Sequence, residues 1–274
     1  MITLPIASSL ADLAVVGLAE LIDQAALQTR VDRKYLVPLA ELPPLLSRAA
    51  PYARVLDIDG ERSFRYESVY FDTPELVSYH SAAYRRRRRF KVRTRTYLDS
   101  GQCWLEVKIN GARGNITKHR LPYRPQDRAT VRPGGDFVDE ALLRESISPG
   151  GDLHPVLVTS YRRSTLLLAG AASRVTIDTG LSWHVGVRML HLPDFAVVET
   201  KTRAAASLVD RMLWHRGLRP ARISKYATGL AALRPELPDT PWRRTLRRHF
   251  CGAAPSGGPE LLMTRRLEQE ASCV

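Results

Sequence analysis

Basic side chains stand at every second position in one segment of the sequence, where Lys91, Arg93 and Arg95 alternate with Val92 and Thr94. Successive side chains of a β-strand point to opposite faces, so the three cations are expected on one face of a strand. Arginine offers forked donors that match phosphate oxygens, and lysine offers a compact charge. The spacing therefore predicts a strand face that binds phosphate groups.

Other predicted strands carry charged or polar side chains on one face in the same way. They contain Asp32 and Lys34, Glu106 and Lys108, Lys118 and Arg120, Arg174 with Thr176 and Asp178, and Glu199 and Lys201. A solvated sheet face produces such alternation in any single strand. Repetition in five or six strands favours a different explanation, because two cations 4 Å apart repel by about 4 kcal/mol at an effective dielectric of 20. A bound chain of phosphates would offset this repulsion.

Two glutamates on these faces are the candidate metal ligands. Phosphate chains usually bind together with Mg²⁺ or Mn²⁺, which are held by one or two carboxylates and by the phosphates themselves. Glu199, between Val198 and Thr200, is the first candidate and Glu106 is the second. The alternative for each is a simple ion pair with a neighbouring arginine.

Motifs for other chemistries are not found. The seven His residues lack ligand spacing, and Cys103, Cys251 and Cys273 form no CxxC pair, so neither a zinc site nor a disulfide framework is expected. No Ser/His/Asp arrangement or Walker-type loop stands out. This cysteine usage favours a reducing compartment, and we expect a cytoplasmic protein. We expect no signal peptide, and no apolar run approaches the roughly 20 residues of a transmembrane helix.

The net charge of +13, from 41 Lys and Arg against 28 Asp and Glu, implies an anionic partner. The run from Arg85 to Arg89 contributes five of these charges. Alone, such a run is typical of a nucleic-acid patch or of a solvated surface. Because it continues into Lys91, it is also a candidate for the mouth of a phosphate channel. Few aromatic residues interleave with the cations, so nucleic acid is not the expected partner.

The order of elements, with eight or more short strands, predicts an α+β protein that is mainly antiparallel β, with a closed or nearly closed barrel-like sheet and peripheral helices. Closure would remove the sheet edges. Residues 1–28 are predicted to be a lead-in or short helix, residues 29–234 the strand-rich domain, and residues 235–274 a loosely ordered basic tail. In the tail, Trp242, Leu246 and Phe250 lie four residues apart among arginines. That spacing indicates a helix that caps the domain or one that touches a membrane.

Eight segments together resemble the VTC domain, the catalytic domain of the vacuolar transporter chaperone polyphosphate polymerase. This family belongs to the triphosphate tunnel metalloenzyme, or CYTH-like, superfamily. The segments lie between residues 30 and 226 in the order of the family. They are residues 30–35 (RVDRKY), 68–73 (SVYFDT), 91–97 (KVRTRTY), 105–108 (LEVK), 161–163 (YRR), 174–179 (RVTIDT), 197–201 (VVETK) and 224–226 (SKY).

The resemblance implies a tunnel of eight antiparallel strands with phosphate-binding side chains. The phosphate-binding residues implied by the resemblance are Lys34, Arg93, Arg95, Lys108, Arg163 and Arg174, and Ser224 and Lys225 would close the site. Lys91 and Lys118 are added as further candidates because they lie on the predicted basic strand faces. Lys34, Arg93, Arg95, Lys108 and Glu199 are the predicted catalytic residues, and Glu199 is the implied metal ligand. One feature of the family's eukaryotic members is missing, because the stretch from Ser78 to Tyr84 has no arginine. Either His80 or the arginine run replaces it, or the role is lost.

The activity implied is metal-dependent transfer of the γ-phosphoryl group of ATP to a polyphosphate chain. Mn²⁺ or Mg²⁺ is the expected cofactor, and ATP or another triphosphate and polyphosphate are the expected partners. Two alternatives remain open at this point. If water is the acceptor, the same groups make an inorganic or nucleoside triphosphatase. If no turnover occurs, the domain is a binding module for polyphosphate or nucleic acid.

Overall fold

The computed structural model of the protein describes residues 4–24, 31–111, 116–169, 173–203 and 205–250. The strands in these ranges are β1 (Ala14–Val16), β2 (Val31–Pro38), β3 (Ala53–Leu56), β4 (Phe64–Asp72), β5 (Arg89–Tyr97), β6 (Gln102–Asn110), β7 (Ile116–Tyr123), β8 (His154–Leu168), β9 (Ser173–Val185), β10 (Arg188–Leu192) and β11 (Phe195–Thr202). The α-helices there are α1 (Leu4–Ala11), α2 (Leu18–Gln24), α3 (Leu42–Ala49), α4 (Val77–Ala83), α5 (Gly135–Leu143), α6 (Leu208–His215), α7 (Lys225–Leu233) and α8 (Arg243–His249). None of these helices has the length and apolar character needed to cross a lipid bilayer.

The strands form one sheet whose main hydrogen-bonded order is β2-β11-β9-β8-β4-β5-β6-β7. β2 with β11, β11 with β9, and β4 through β7 pair antiparallel, which confirms the mainly antiparallel α+β prediction. The predicted closure is not confirmed. Within the described residues, no hydrogen-bonded ladder joins β2 to β7. Pro122 lies in β7, and a strand with proline suits the end of a sheet because proline donates no ladder hydrogen bond.

The chain divides into two compact units, and each is built from separate stretches of sequence. Unit 1 takes its described residues from Met1–Arg65, Tyr161–Leu181 and Leu192–Arg222. Unit 2 takes its described residues from Tyr66–Ser160, Ser182–His191 and Ile223–Val274. The backbone passes from one unit to the other inside β4, β8, β9 and β10.

The core of unit 1 lies between the strands β2, β9 and β11 and the helices α3 and α6. Tyr35 and Val37 of β2 and Val198 of β11 point into this core. Side chains alternate across a strand, so Lys34 and Glu199 belong to the opposite face. Asp210 of α6 is fully buried and accepts hydrogen bonds of 2.7 Å from the hydroxyls of both Tyr35 and Thr200. This shared carboxylate fixes β2 and β11 beside each other at the position of Lys34 and Glu199.

The core of unit 2 lies under β4, β5 and β6 and is covered by α5. Val92 of β5 and Leu105 and Val107 of β6 are fully buried and pack with Val138 and Leu142 of α5. The intervening residues of β5 and β6 therefore lie on the other face. That face carries the basic residues that the sequence predicted to act together.

Candidate functional site

Beyond Arg89 at the start of β5, the strand register of unit 2 places seven charged residues on one face of β5, β6 and β7. We call them the Glu106 cluster: Lys91, Arg93, Arg95, Glu106, Lys108, Lys118 and Arg120. Cross-strand partners share a face, and here they form two rows. One row is Lys91, Lys108 and Lys118, and the next is Arg93, Glu106 and Arg120. Three lysines thus stand side by side with no carboxylate in their own row.

Glu106 is the only carboxylate of this cluster and is only 3% exposed. Arg93 donates to its Oε2 from Nε and Nη2 at 2.8 and 2.6 Å, and Lys118 donates to Oε1. The Arg95 Nε atom lies 4.0 Å from Oε2. Burial opposes ionisation, but the charges of Arg93, Arg95 and Lys118 outweigh it and hold the pKa of Glu106 well below its ordinary value. Glu106 is therefore ionised, with both oxygens occupied by cations.

Arg93 is held by a second set of contacts that reach a buried carboxylate. Its Nη1 donates to the Tyr70 hydroxyl at 3.1 Å, and the Tyr70 ring stacks on Tyr226 with centroids 5.2 Å apart. The Tyr226 hydroxyl donates to Asp72, which is fully buried and also accepts from the backbone N–H of Tyr79. These contacts link α4, α7 and β4 and orient Arg93 without neutralising its charge.

Ser224 and Lys225 begin α7, and the structure brings Ser224 to the same face as Lys91. The Ser224 Oγ atom caps the helix by accepting from the Ala227 N–H, and it also accepts from Lys91 Nζ at 2.8 Å. Lys225 is half-buried, and its carbonyl accepts from the Trp183 indole N–H at 2.7 Å. Lys108, in contrast, is exposed. The predicted phosphate-binding residues of unit 2 thus differ in accessibility.

Two buried polar atoms in the same region of unit 2 make no hydrogen bond to the described residues. They are the Arg95 Nε and the Ser68 Oγ, which belong to cross-strand partners in β5 and β4. A buried donor left without a partner costs roughly 1–3 kcal/mol. An anion on this face would supply acceptors for both atoms. Ser68 is a candidate ligand that alternation alone did not single out.

In unit 1, seven charged residues of β2, β8, β9 and β11 form a second group. We call it the Glu199 cluster: Asp32, Lys34, Arg163, Arg174, Asp178, Glu199 and Lys201. Register places Glu199 between Lys34 and Thr176, and Lys201 between Asp32 and Arg174. Each of these two cross-strand rows therefore contains both a carboxylate and a cation. The arrangement differs from the uniform lysine row of unit 2.

Glu199 is 15% exposed, and among the described residues it forms ion pairs with Lys34 and Lys201. Lys201 Nζ lies 2.6 Å from Oε2, whereas Lys34 Nζ lies 3.8 Å from Oε1, beyond hydrogen-bond distance. Burial disfavours the charged form, but the two lysines hold the pKa of Glu199 well below its ordinary value. Burial also lowers the pKa of Lys201 to about 8 despite the neighbouring carboxylates. One oxygen of an ionised Glu199 is thus available to another cation.

Arg163 is committed to a carboxylate within unit 1. It donates to the two oxygens of Asp178 from Nε and Nη2 at 2.6 and 2.8 Å, and Asp178 is 1% exposed. The Thr176 Oγ, next to Glu199 in the register, is buried and makes no hydrogen bond to the described residues. Arg163 is therefore a fixed positive charge, and Thr176 is a second candidate ligand that the sequence did not reveal.

The Glu199 cluster fits a divalent cation better than the Glu106 cluster does. Mg²⁺ and Mn²⁺ are commonly held by one or two carboxylates, with waters and substrate phosphates completing the shell. Glu199 Oε1 accepts no hydrogen bond from Lys34, while both oxygens of Glu106 accept from basic side chains. Within the described ranges, no three Asp, Glu, His or Cys residues group as a complete metal site. The phosphates of a substrate would have to supply the remaining ligands.

Comparison with protein families shows the family to which the chain belongs. The family model of the VTC domain matches residues 29–234, three quarters of the sequence. The chain belongs to the VTC domain family. No curated protein matches this VTC domain in a direct sequence comparison.

A solved structure shares the fold of this VTC domain at low sequence identity. A protein from Hippeastrum, named as a candidate adenylyl cyclase and found to have a dominant triphosphatase activity, is 16% identical with a TM-score of 0.51. The match covers 74% of this chain and 96% of that one. A candidate adenylate cyclase from Bacillus halodurans is 14% identical with a TM-score of 0.49, covering 72% and 94% of the two chains. At these identities the first similarity establishes the fold alone.

Two features outside the clusters, His80 and helix α8, have defined surroundings in the VTC domain structure. His80, a candidate replacement for the missing family arginine, stacks on the exposed ring of Tyr84 at 5.8 Å. Trp242 and Phe250 at the ends of α8 are each 6% exposed. They pack against Tyr79 and Trp183 respectively. The aromatic side chains flanking α8 therefore belong to the interior of unit 2, as a capping helix requires.

Proposed function

We propose that this VTC domain is a metal-dependent phosphotransferase that binds ATP or another triphosphate and extends a polyphosphate chain. The observation that carries the proposal is the excess of cations in the Glu106 cluster. One buried carboxylate neutralises only part of the surrounding positive charge. Forked arginine donors and lysine ammonium groups are suited to phosphate oxygens.

The residues of unit 2 have the phosphate-binding role in this proposal. Arg93 and Arg95 bind phosphate oxygens, with Lys91, Lys108 and Lys118 as further cations. Ser224 positions Lys91, since its hydroxyl accepts from that ammonium at 2.8 Å. Fixed cations stabilise the charge that spreads over the transferred phosphoryl group in the transition state.

The residues of unit 1 have the metal-binding role. Glu199 is the proposed ligand of Mn²⁺ or Mg²⁺, and Lys34, Arg163 and Arg174 add positive charge for phosphate. A bound ion would neutralise charge on phosphate oxygens. In the proposed transfer, a terminal oxygen of polyphosphate forms the new bond to the γ-phosphorus. The bond from that phosphorus to the bridging oxygen breaks, and ADP leaves.

A triphosphatase is the second candidate, and the dominant triphosphatase activity of the Hippeastrum protein favours it. The same phosphate-binding and metal-binding groups would serve, with water as the acceptor. No covalent nucleophile from the protein is needed in either reaction. The acceptor alone distinguishes the two activities.

One assay series tests the proposal. Purified protein is incubated with ATP and Mn²⁺ or Mg²⁺, with and without a short polyphosphate acceptor. Polymer resolved on a gel supports the polymerase, orthophosphate alone supports the triphosphatase, and neither product under varied metals and acceptors refutes the enzyme proposal in favour of a binding module. In parallel, tripolyphosphate at 100 times its Kd should stabilise the fold by about 2.7 kcal/mol. A melting temperature that does not move in millimolar tripolyphosphate contradicts triphosphate binding.

A further inference from the structure

The segment between α4 and β5 is a dense basic surface that the proposed reaction does not use. Tyr84 and the four arginines from Arg85 to Arg88 are all exposed. Among the described residues, no carboxylate forms an ion pair with any of these four arginines. Four adjacent cations without counter-charges create a strong local positive potential. We call residues 85–88 the arginine segment.

The arginine segment is continuous with the basic face of β5. Arg89 begins the strand, and Lys91, Arg93 and Arg95 follow at every second position. Across the strand, Lys108 is the register partner of Lys91. Eight cations thus occur between residues 85 and 95 of a single chain segment. That charge exceeds what the three phosphates of one triphosphate can neutralise, so a longer chain of phosphates is the better electrostatic match.

We propose that the arginine segment binds the part of a polyphosphate chain that extends beyond the phosphates held by Arg93 and Arg95. This inference rests on the proposed function, because it assumes that the β5 face binds phosphate. Forked guanidinium groups suit a ligand whose surface consists of phosphate oxygens alone. The segment is a site for long chains and is not required for a triphosphate.

The chemistry around the segment favours polyphosphate over other polyanions. Single-stranded nucleic acid is usually bound by a series of aromatic rings on which bases stack. Tyr84 is the one aromatic residue of the exposed stretch, and its ring already stacks on His80. A membrane surface calls for exposed apolar anchors, but Trp242 and Phe250, which flank the basic helix α8, are both buried. Of these three ligand types, the exposed arginines match only polyphosphate, whose surface consists of phosphate oxygens alone.

The test compares two triple variants that remove the same charge from unit 2. Arg86→Ser, Arg87→Ser and Arg88→Ser remove three of the four arginines of the arginine segment. Arg244→Ser, Arg247→Ser and Arg248→Ser remove three exposed arginines of α8 as the matched control. The probes are long-chain inorganic polyphosphate and sodium tripolyphosphate, with Kd measured at several salt concentrations.

The arginine-segment variant should bind long polyphosphate about tenfold or more weakly. Its plot of log Kd against log salt should become shallower by about 2, because three cations no longer release counterions. Its Kd for tripolyphosphate should be unchanged, and the α8 variant should lose much less affinity for the long chain. Lysine at positions 86, 87 and 88 keeps the charge and should restore most of the binding.

Several outcomes would overturn the inference. Equal losses in the two triple variants would make the effect one of net charge. A matching loss of tripolyphosphate affinity would place the segment in the triphosphate site. Tighter, segment-dependent binding of a single-stranded oligonucleotide or of anionic vesicles would assign another partner. If wild type binds long polyphosphate through the segment but does not bind tripolyphosphate, the proposed function fails while the segment remains a polyphosphate site.

Discussion

A glutamate lies among basic residues in both the Glu106 cluster and the Glu199 cluster, but the charge balance of the two clusters differs. Glu106 is the one carboxylate among six cations, whereas Glu199 and two aspartates accompany four cations. The first cluster has a large positive excess, and the second is nearly balanced. Charge balance thus separates a surface that suits an anion from one that suits a metal ion together with an anion.

The partners of the two glutamates explain the difference in chemical terms. Arg93 donates two hydrogen bonds to one oxygen of Glu106, and Lys118 donates to the other oxygen. Glu199 pairs closely with Lys201 through one oxygen, and its other oxygen is 3.8 Å from Lys34. A carboxylate with saturated oxygens organises cations, while one with an available oxygen can ligate a metal.

The largest expected effect is a difference in ATP turnover between variants of Glu199 and Glu106. Glu199→Gln keeps the shape and removes the charge, so turnover of ATP with Mn²⁺ should fall by orders of magnitude. Tripolyphosphate should bind as well as before or more tightly, because one repulsive carboxylate is gone. Glu106→Gln should retain metal-dependent turnover. Full turnover in Glu199→Gln would move the metal elsewhere, and Glu106 would then be the first residue to test.

The second effect concerns triphosphate affinity. Replacing Arg93 and Arg95 with Ala should weaken tripolyphosphate binding about a hundredfold or more, because each charge-assisted contact contributes roughly 1.5–3 kcal/mol. Arg128→Ala with Arg144→Ala, which removes two exposed arginines of unit 2, is the matched control and should bind normally. Lysine at both positions 93 and 95 should give an intermediate Kd. Unchanged affinity in the alanine variant would remove the Glu106 cluster from the proposed site.

The third effect is on stability. It should be larger for Glu106, whose two oxygens both accept from cations, than for Glu199. Glu106→Gln should lower the free energy of unfolding by roughly 3 kcal/mol, because buried cations lose their counter-charge. Glu199→Gln should cost less, since Lys201 also has Asp32 3.9 Å away. Denaturant unfolding with and without tripolyphosphate measures both, and the ligand should recover more stability in Glu106→Gln. Equal destabilisation of the two variants would contradict the comparison.

The smallest effect is the dependence of stability on acid. The pKa of Glu106 is lowered in the folded protein from an ordinary value near 4.5. Its stabilising contribution is therefore complete above about pH 4.5 and is lost as the pH falls towards the folded-state pKa. Melting temperatures between pH 7 and 3 should fall less steeply in Glu106→Gln than in wild type. Glu140→Gln, at an exposed pair with Arg144, is the control and should follow wild type.

The local alternation of polar and apolar residues was sufficient to predict the strands that contain the two clusters. The alternation from Lys91 to Arg95 predicted the β5 face, and the structure buries the intervening Val92 and Thr94. The hairpin between β9 and β10 was not predicted, although Gly186 with φ +54° occupies the first position of its two-residue turn. A Gly-X turn of that kind is a recognised hairpin signal, so this omission was avoidable.

Long-range partners could not be predicted from local pattern. Asp72 and Tyr226 are 154 positions apart, yet their hydrogen bond connects to Tyr70 and Arg93. Nothing near Asp72 in the sequence specifies a phenol as its partner. Lys201 was different, because it follows Glu199 by two positions and shares its face. Its role as the closest partner of Glu199 was within reach of sequence reasoning, whereas the open hydrogen-bonded order of the sheet was not.

The strands β4, β8, β9 and β10 each run through both units, which affects how the molecule is synthesised and how its gene can change. Each unit is interrupted in sequence by the other, so no single cut yields either one as a contiguous polypeptide. A ribosome completes neither unit until residues beyond Leu192 and Ile223 have been synthesised. A gene segment that encodes the whole Glu199 cluster, from Asp32 to Lys201, necessarily includes the Glu106 cluster, from Lys91 to Arg120. The anion-binding and metal-binding halves of the proposed chemistry are therefore expected to fold and to evolve together.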